Sequence, residues 1–565
     1  MIYNVSVYLK KRMNKMTDNE RLAGLLFPEI TKTPADYEEM YPPRSLSEGA
    51  KVTRFAPSPT GYMHIGNMFS CLIDRLAAAT EDSVFYLRIE DTDKKREVHD
   101  AIDKIIEGLT AFGIAPTEGA TGTDTEKGAY GPYKQSHRKD IYQCFAKDLV
   151  LKGYAYPCFC TEDELSALRE NQEKEGANPG YYGKYASCRN LTIEEQEEKI
   201  KAGIPYTVRL RSDGDESRKI IVEDQIKGKI EMPENIQDLV LLKTDGIPTY
   251  HFAHAVDDHL MRTTHVVRGD EWISSLPLHI QLFKLLGYKP PKFAHISPIM
   301  KLDEGNKRKL SKRKDPEASV SFYVEQGFPA DGVIEYLMTL ANSNFEDWRK
   351  ANPTADKYAF PFSFKKMSSS GALFDILKLN DICKNVISLM SADEVYSNTV
   401  EWAKNFDTEL YELFTKNPEY AKSILNIDRE TPKPRKDIIN WADVKSYVSY
   451  FYDELYKNEA ALPENINHDD AKAILDAYKE VFDENDDKDT WFTKIKDLCE
   501  PLGFTPNIKE YKKNPEAFKG HVGDVSTVIR VAVTGRTNTP DLHAILAHLG
   551  KERVFARFDS FKETL

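Results

Sequence analysis

The segment RFAPSPTGYMHIG (54–66) decides how the first part of the chain is interpreted. It overlaps the end of an apolar run, KVTRFA (51–56), that is typical of a short buried strand, and apolar residues at helical spacing follow from Met68 to Leu76. A glycine-bearing turn between a strand and a helix exposes backbone N–H groups at the positive end of the helix, where anions bind. Alone, the segment fits either a phosphate site containing His64 or an ordinary turn with a surface histidine.

The next elements predict a parallel α/β sheet. SVFYLRI (83–89) has the composition of a second strand, and a helical segment follows at 98–112. A strand–helix–strand–helix order is typical of a Rossmann-like parallel sheet, in which ligands bind beyond the carboxyl ends of the strands. Arg54, Ser58 and Glu90 fall at those ends, so they are candidate ligand-binding residues.

The character of the sequence changes after this α/β half. Short alternating runs such as YTVRLR (206–211) and KIEM (229–232) predict an antiparallel α+β insertion. TYHFAHAVDD (249–258) and THVVRGDEW (264–272) predict buried strands that return to the parallel sheet.

Helical periodicity dominates beyond residue 376 and predicts an all-α C-terminal domain. In DVKSYVSYFYDEL (443–455), apolar residues from Val444 to Leu455 form one helical face. In TNTPDLHAILAHLG (537–550), Thr539 is the predicted cap, Pro540 the first helical residue and Gly550 the end of the helix.

Composition limits the class of protein. The 565 residues contain seven scattered cysteines and no apolar run as long as a membrane helix, so we expect a reduced, cytoplasmic protein of several domains. Residues 1–50 have no secretory signal and are predicted to be an irregular polar lead-in, with translation starting at Met13 or Met16. The net charge of −13 does not exclude a nucleic-acid partner, because phosphate contacts depend on local basic stripes.

One such stripe is KRKLSKRKD (307–315), which has six Lys or Arg in its first eight positions. The default interpretation of a charge run is a solvated loop. The alternative is a mobile lysine-rich loop that neutralises a triphosphate, since lysine acts as a flexible point charge.

The two segments together resemble the paired signature of the class I aminoacyl-tRNA synthetases. His64-Ile65-Gly66-Asn67 resembles the HIGH motif, and 309–313, KLSKR, resembles the KMSKS motif. The longer segments LRIEDTD, PTYHFAHAVDDHLM and VVRGDEW resemble the bacterial-type glutamyl-tRNA synthetases, and the resemblance covers residues 51–565. KMSSS (366–370) is an alternative for the second motif, but it lacks the second lysine and lies beyond the second α/β half.

The resemblance implies a domain order. It is an N-terminal extension (1–50), the first Rossmann half (51–150), an insertion that binds the tRNA acceptor end (151–245), the second Rossmann half (246–300), the KMSKS-type loop with a stem-contact region (301–375) and a helical anticodon-binding domain (376–565).

The resemblance also implies a two-step reaction with ATP and Mg²⁺, in which glutamate is activated and then transferred to tRNA. His64, Lys309 and Lys312 would be catalytic, with the lysines at the α-phosphate and the departing pyrophosphate. The implied ATP-binding residues are His64, Ile65, Gly66, Glu271, Trp272, Lys309, Leu310, Ser311, Lys312 and Arg313. Asn67 departs from the family pattern, which leaves its role open.

The implied glutamate pocket has two guanidinium groups, which suit a carboxylate and leave an amide substrate with uncompensated positive charge. Its residues are Arg54, Ala56, Ser58, Glu90, Tyr250, His254 and Arg268. Glu90 would hold the substrate ammonium group. His254 stands where several relatives have asparagine.

A zinc site is a further feature that some relatives carry in the insertion. Cys158, Cys160 and Cys188 resemble its start, but zinc normally has four ligands, and only Tyr182 or Tyr185 is available to complete the set. A metal-free insertion is therefore favoured.

The implied partner is tRNA-Glu, bound at its acceptor end and anticodon by a monomer. An enzyme that also charges tRNA-Gln remains an alternative, because no motif decides between them. A paralogue that glutamylates a tRNA base is disfavoured, since such proteins lack the anticodon-binding region. A binding protein that has lost catalysis is disfavoured because Arg54, Glu90, His64, Lys309 and Lys312 are all present.

Overall fold

A computed structural model describes residues 17–565 except 94 and 459. The chain divides into two compact units. The first comprises the chain up to Val320 together with Ile334–Asp375, and the second comprises Ser321–Val333 and Ile376–Leu565.

The strands all belong to the first part of the chain. Strands β1 to β13 are Val52–Phe55, Val84–Leu87, Glu118–Ala120, Glu126–Lys127, Ala155–Cys158, Thr207–Leu210, Lys219–Asp224, Gly228–Pro233, Val240–Leu242, His265–Gly269, Lys292–Ile296, Met300–Asp303 and Asn306–Lys309. Helices α1 to α12 are Asp18–Leu26, Pro34–Met40, Ile65–Ala77, Ala101–Ala111, Lys139–Leu151, Glu162–Lys174, Ile193–Lys201, Tyr250–Leu260, Leu276–Leu286, Val320–Glu325, Ala330–Ala341 and Phe345–Ala351.

The predicted parallel sheet is present and carries the site. β1 pairs with β2 and β2 with β3, all parallel, and β10 pairs with β11 in the same sense. The two parts meet where the Thr264 backbone N–H donates to the Val52 carbonyl at 2.9 Å. The carboxyl ends of β1, β10 and β11 therefore lie near one another, as a Rossmann-like sheet requires.

The prediction of a strand at 249–258 is wrong, because this segment forms helix α8. Its residues are buried on nearly every side, including Phe252, Ala255 and Val256. A helix without an exposed face has no amphipathic period, so hydrophobic pattern alone cannot distinguish it from a buried strand. The neighbouring prediction, a strand in THVVRGDEW, is confirmed by β10.

The antiparallel pattern predicted between 206 and 232 is confirmed. β6 pairs with β5 and β9, and β7 with β8 forms a separate two-stranded hairpin. This hairpin packs on β11, where the Gln225 backbone N–H donates to the Phe293 carbonyl at 2.8 Å.

The N-terminal segment differs from the predicted irregular lead-in. Thr17 and Thr33 each form a capping box, with Glu20 and Asp36 respectively, and start helices α1 and α2. Apolar side chains of both helices, including Leu22, join the core of the first unit. The sequence signal for the start of each helix is a threonine followed three residues later by an acidic residue. The proposed start residues Met13 and Met16 lie outside the described residues.

The second unit is helical throughout its described residues, as predicted. Helices α13 to α23 are Ile376–Leu389, Ala392–Phe406, Thr408–Lys416, Pro418–Leu425, Trp441–Val448, His468–Val481, Lys488–Asp497, Cys499–Leu502, Ile508–Lys513, Val522–Thr534 and Leu542–Thr564. No described helix of either unit is long and apolar enough to cross a membrane.

Three details of the helical predictions are wrong, and one of them is Pro540 as the first helical residue, because the last helix begins at Leu542. The helix in 443–455 ends at Val448, and Leu455 lies beyond it. Asp541, not Thr539, caps the last helix, because its side chain accepts a hydrogen bond from the Ala544 backbone at 2.9 Å. The predicted end at Gly550 is confirmed, because this residue is non-helical (φ 74°, ψ 160°) and separates two helices within Leu542–Thr564.

Candidate active site

A cavity of about 1270 Å³ opens in the first unit at the carboxyl ends of β1, β10 and β11. It brings together most of the predicted site residues, which are far apart in sequence. Those that line it are Arg54, Ala56, Ser58, His64, Ile65, Gly66, Glu90, Tyr250, Arg268, Glu271, Trp272, Lys309, Leu310, Ser311 and Lys312. His254 and Arg313 do not line it.

His64 is the N-cap of helix α3. Its Nδ1 accepts a hydrogen bond from the Asn67 backbone at 3.0 Å, and the Asn67 side chain accepts one from the His64 backbone at 3.3 Å. This capping box gives Asn67 the role that the sequence left open. Burial, and to a smaller extent the positive charges of Lys312 and Lys309, lowers the pKa of His64 to about 4. The ring is therefore neutral at neutral pH and carries its proton on Nε2.

Gly66 is required by the position of that ring. A Cβ at residue 66 would lie 2.9 Å from Cε1 and 3.0 Å from Nδ1 of His64. Any larger residue would displace the imidazole, because contacts this short do not occur between unbonded carbon atoms. The glycine thus fixes the histidine, in addition to leaving room for a ligand.

The basic stripe begins in strand β13, which contains 307–309, and 310–315 form the loop that follows. Arg308 contacts both carboxylate oxygens of Asp315, at 2.6 and 2.8 Å, and the Ser311 backbone N–H donates to Asp315 at 2.9 Å. Lys312 donates from Nζ to the Tyr62 carbonyl. The solvated-loop alternative therefore does not describe the whole stripe: Asp315 organises it, and Lys309 with Lys312 lines the cavity.

The alternative motif KMSSS (366–370) lies outside the cavity lining. Its Ser369 carbonyl accepts a hydrogen bond at 2.7 Å from Nζ of Lys227, which also contacts Asp270 at 3.0 Å. The segment thus has a structural contact with the β7–β8 turn.

Arg54 enters the site as part of a buried charge network centred on Asp258. Asp258 contacts Arg54 at 3.2 Å, Arg88 at 2.6 Å and Nδ1 of His254 at 2.6 Å, and Arg88 also contacts Glu90 at 2.9 Å. All five side chains are buried. Burial would raise the pKa of Asp258, but the two guanidinium groups hold it well below its usual value.

The structure places His254 behind the cavity wall rather than on it. Its ring is fully buried against Asp258, and burial lowers its pKa to about 4. His254 thus packs against Asp258, and its contact with glutamate stays a prediction.

Sequence reasoning missed Arg88 and Asp258 as functional residues. Both lie in segments that resemble the family, LRIEDTD and AVDDHLM. An available signal was their charge, because charged residues inside otherwise apolar runs must find partners when buried. The sequence does not show which charges pair.

The opposite wall holds Arg268, Tyr250 and Trp272. The rings of Tyr250 and Trp272 pack at 4.3 Å between centroids, and the Arg268 guanidinium lies 4.9 Å from the Phe293 ring centroid. This wall combines flat apolar surface with one cation, which suits a ligand with an aromatic base or a carboxylate.

The insertion brings Cys158, Cys160 and Cys188 together. Their sulfur atoms all lie within 4.8 Å of one another, and the Cys160–Cys188 distance is 3.6 Å. Tetrahedral zinc with Zn–S bonds of about 2.3 Å separates its sulfur ligands by roughly 3.8 Å, so the three thiols fit zinc.

The tyrosines predicted to complete such a site lie elsewhere. The Tyr182 hydroxyl donates to the Asn178 carbonyl at 2.7 Å, and that of Tyr185 contacts Glu175 at 2.6 Å. Tyr181 instead places its hydroxyl 3.3 Å from Cys160 Sγ. Tyr181, whose hydroxyl also accepts a hydrogen bond from the Cys188 backbone N–H at 3.0 Å, is thus a candidate fourth donor that the sequence argument did not consider.

Comparison with known proteins gives consistent matches. The family model "tRNA synthetases class I (E and Q), catalytic domain" matches residues 51–381, and the model "Anticodon binding domain" matches 400–561. The chain is 52% identical over 546 residues to a glutamate–tRNA ligase of Clostridium perfringens, covering 96% of this chain and 99% of the relative. It is 46% identical to that of Sorangium cellulosum, over 94% of this chain and 98% of the relative. A crystal structure of a glutamate tRNA ligase from Elizabethkingia meningosepticum in complex with its amino acid matches with a TM-score of 0.72 and 27% identity, covering 92% of this chain and all of that one.

Proposed function

Since the chain belongs to the glutamate–tRNA ligase family of class I aminoacyl-tRNA synthetases, we propose a residue-level account of how its cavity charges tRNA. First, a carboxylate oxygen of glutamate attacks the α-phosphorus of ATP, the bond to the β-phosphate oxygen breaks, and pyrophosphate leaves. Second, a 3′-terminal ribose hydroxyl of the tRNA attacks the carbonyl carbon of glutamyl-adenylate, loses its proton, and AMP leaves with the bonding electrons.

The amino-acid subsite lies between the ends of β1 and β10. The two cationic groups of this subsite are Arg54 and Arg268, which face glutamate. Glu90 faces the ammonium group of the substrate. Tyr250, Ser58 and Ala56 supply the remaining cavity wall. Burial of Arg268, whose charge no carboxylate of the described residues pairs, supports selection for a carboxylate, because glutamine would leave this desolvated positive charge unpaired.

The ATP subsite lies between the start of α3 and the basic loop. His64 donates from Nε2 to a phosphate oxygen, beside the backbone of Ile65 and Gly66. Lys312 and Lys309 face the charge that develops on the phosphates, and a preorganised donor of this kind contributes about 2.7–4 kcal/mol to the transition state. Bound Mg²⁺ would neutralise phosphate charge and assist the departure of pyrophosphate. Glu271, Trp272, Leu310 and Ser311 complete this subsite, whereas Arg313 does not line the cavity and its contact with ATP stays a prediction.

The tRNA partner contacts both units in this proposal. The insertion binds the acceptor end, and the helical unit recognises the anticodon, whose unstacked bases suit sequence recognition. We propose that the protein acts as a monomer in the cytoplasm, where protein synthesis takes place.

The observation that carries the proposal is the convergence of Arg54, Arg268, His64, Lys309 and Lys312 on one cavity. ATP–pyrophosphate exchange, measured with glutamate in the presence and absence of tRNA, tests it. We expect glutamate-dependent exchange with tRNA present. No exchange and no aminoacylation under either condition would favour the alternative of a binding protein that has lost catalysis.

The choice between tRNA-Glu alone and both tRNA-Glu and tRNA-Gln is tested by charging each purified tRNA. We expect charging of tRNA-Glu, and comparable kcat/KM values for the two would establish the non-discriminating alternative. Incorporation of glutamate into a tRNA that lacks its 3′-terminal adenosine would establish the base-glutamylating alternative.

A further inference from the structure

Two histidines hold the guanidinium of Arg268 from behind. Its Nε donates to Nε2 of His295 at 3.0 Å, and its Nη1 contacts Nδ1 of His279 at 2.9 Å. A guanidinium has donors only, so each of these ring nitrogens must be an unprotonated acceptor. Both rings are fully buried.

This requirement fixes the tautomer of each ring. His295 carries its proton on Nδ1, which faces the Asp224 carboxylate at 2.7 Å. His279 carries its proton on Nε2, which faces Nδ1 of His251 at 2.9 Å. Burial lowers the pKa of His295, and it lowers that of His279 well below the ordinary value, so both rings are neutral at neutral pH.

Asp224 is itself fixed by the β7–β8 turn. Its Oδ1 accepts hydrogen bonds from the backbone N–H groups of Ile226 at 2.9 Å and Lys227 at 2.8 Å. The His295 ring thus has a rigid acceptor on its Nδ1 side, and the orientation of Nε2 toward Arg268 follows from it.

The guanidinium groups of Arg268 and Arg54 have different neighbours. Arg54 contacts the Asp258 carboxylate, whereas across the described part of the chain no carboxylate lies within 4 Å of the Arg268 guanidinium. Neutral imidazoles orient a guanidinium without cancelling its charge. The full positive charge of Arg268 therefore remains available to a ligand in the cavity.

We propose that His279 and His295 are positioning residues for glutamate recognition, which fix the direction of Arg268 as neutral acceptors and leave its charge for a substrate carboxylate. This inference rests on the proposed contact between Arg268 and glutamate. It adds two residues, on α9 and β11, to those that determine which amino acid is activated.

The test uses the fact that a different ring nitrogen accepts the hydrogen bond from Arg268 in each of the two histidines. At 295 the acceptor is Nε2, whose place the glutamine oxygen can take, whereas asparagine is too short. At 279 the acceptor is Nδ1, whose place the asparagine oxygen takes, whereas in glutamine the oxygen lies one carbon further out. The variants are His295→Gln, His295→Asn, His279→Asn and His279→Gln.

The measurement is ATP–pyrophosphate exchange with tRNA present, giving KM for glutamate at saturating ATP and KM for ATP at saturating glutamate. We expect the glutamate KM to be about ten- to a hundredfold higher in His295→Asn than in His295→Gln, as for loss of a hydrogen bond to a charged group. At position 279 the expected order is reversed: the glutamate KM should be higher in His279→Gln than in His279→Asn. The KM for ATP should change less than threefold in all four.

The same order of Gln and Asn at both positions, or equal glutamate KM values within both pairs, would overturn the inference. A loss of packing alone cannot produce the reversal, and thermal unfolding of each variant identifies any that fails to fold, in which case the other pair decides. Arg268→Gln is measured in parallel: an unchanged glutamate KM there would refute the proposed substrate contact itself, while a raised KM without the reversal would refute only the positioning role.

Discussion

The Asn67 backbone N–H donates to Nδ1 of His64 at 3.0 Å, so the histidine of the first motif is at once a helix cap and a neutral donor. The cap decides which nitrogen is protonated, and that nitrogen, Nε2, is the one left for a phosphate oxygen. Nδ1 therefore has a structural role as the helix cap, and Nε2 has the proposed chemical role as a donor to phosphate. A substitution can remove one of these roles and keep the other.

His64→Asn should keep the cap and lose the donor. Asparagine is among the best N-cap residues, but its side chain ends near the position of Nδ1. We expect kcat for ATP–pyrophosphate exchange to fall about 10²- to 10³-fold, with the melting temperature nearly unchanged. His64→Ala, which removes both functions, is the companion variant and should also lower stability by about 1 kcal/mol. Full activity in His64→Asn would remove the ring from the ATP subsite.

Asp258→Asn should be strongly destabilising, because it leaves Arg54 and Arg88 buried without their shared carboxylate. Breaking a buried ion pair on one side costs about 3–5 kcal/mol. Asp303→Asn is a matched control in the same unit, since Asp303 pairs with Arg308 at the surface and such pairs contribute under about 1 kcal/mol. Urea unfolding compares the two, and similar unfolding free energies would contradict the central role given to Asp258.

Lys312→Ala should reduce glutamate activation severely while glutamate binding changes little. Lys312 lines the cavity beside His64, whereas its neighbour Arg313 does not line it. Arg313→Ala is therefore the control and should retain activity within a few-fold. Exchange kinetics and calorimetric titration with glutamate provide the two readouts. An equal loss of binding and activation would place Lys312 in the amino-acid pocket instead.

The unfolding free energy should decrease as the pH falls from about 6.5 to about 4. Burial lowers the pKa of His64, His251, His254 and His265 to about 4 in the folded chain, against about 6.5 when unfolded. Within this window the unfolded chain binds more protons than the folded one, so stability rises with pH and is lost on acidification. Each histidine contributes up to about 1.4 kcal/mol per pH unit.

Urea unfolding at pH 7.5, 6.0 and 5.0 checks this, with His265→Gln as the comparison, because His265 is the one of these four that we place in neither the substrate site nor its supporting contacts. The variant should show a shallower dependence on pH. A flat profile for the unsubstituted chain between pH 6.5 and 5 would show that these rings are not held neutral.

The three-cysteine cluster should bind one zinc ion per chain. Its sulfur spacing suits tetrahedral coordination, and the Tyr181 hydroxyl offers a fourth donor. Metal analysis after purification, and the thiolate-to-metal absorption of a cobalt-substituted sample, are the measurements. Cys188→Ser should lose the metal, and Cys499→Ser, which changes a buried cysteine of the helical unit, should retain it. A metal-free protein after zinc reconstitution would support the original sequence-based preference.

Much of the fold follows from local pattern. The first parallel strands, the helix after Gly66 and the antiparallel insertion were predictable because each has its own periodicity or turn signal. Helix α8 was not, since burial on every side removes the amphipathic period on which the distinction from a strand depends. Its misassignment matters, because the helix places both His254 and Asp258.

Site residues that lie in a short motif were predictable from the sequence. Residues that act through contacts with residues distant in sequence were less predictable. His64, Lys312 and the two pocket arginines lie in recognisable segments and meet at the cavity. Arg88, Asp258, His279 and His295 act through partners that only the folded chain brings within hydrogen-bond distance. No spacing rule connects such residues, so their assignment needed the structure.

The hairpin β7–β8 belongs by sequence to the insertion, yet its Asp224 reaches His295 and, through it, Arg268. A chimera that exchanges this insertion for that of another synthetase would therefore alter the choice of amino acid as well as the contact with tRNA. Recombination between homologous genes should accordingly tolerate crossovers before β7 better than crossovers between Asp224 and His295, because only the latter take the two residues from different parents.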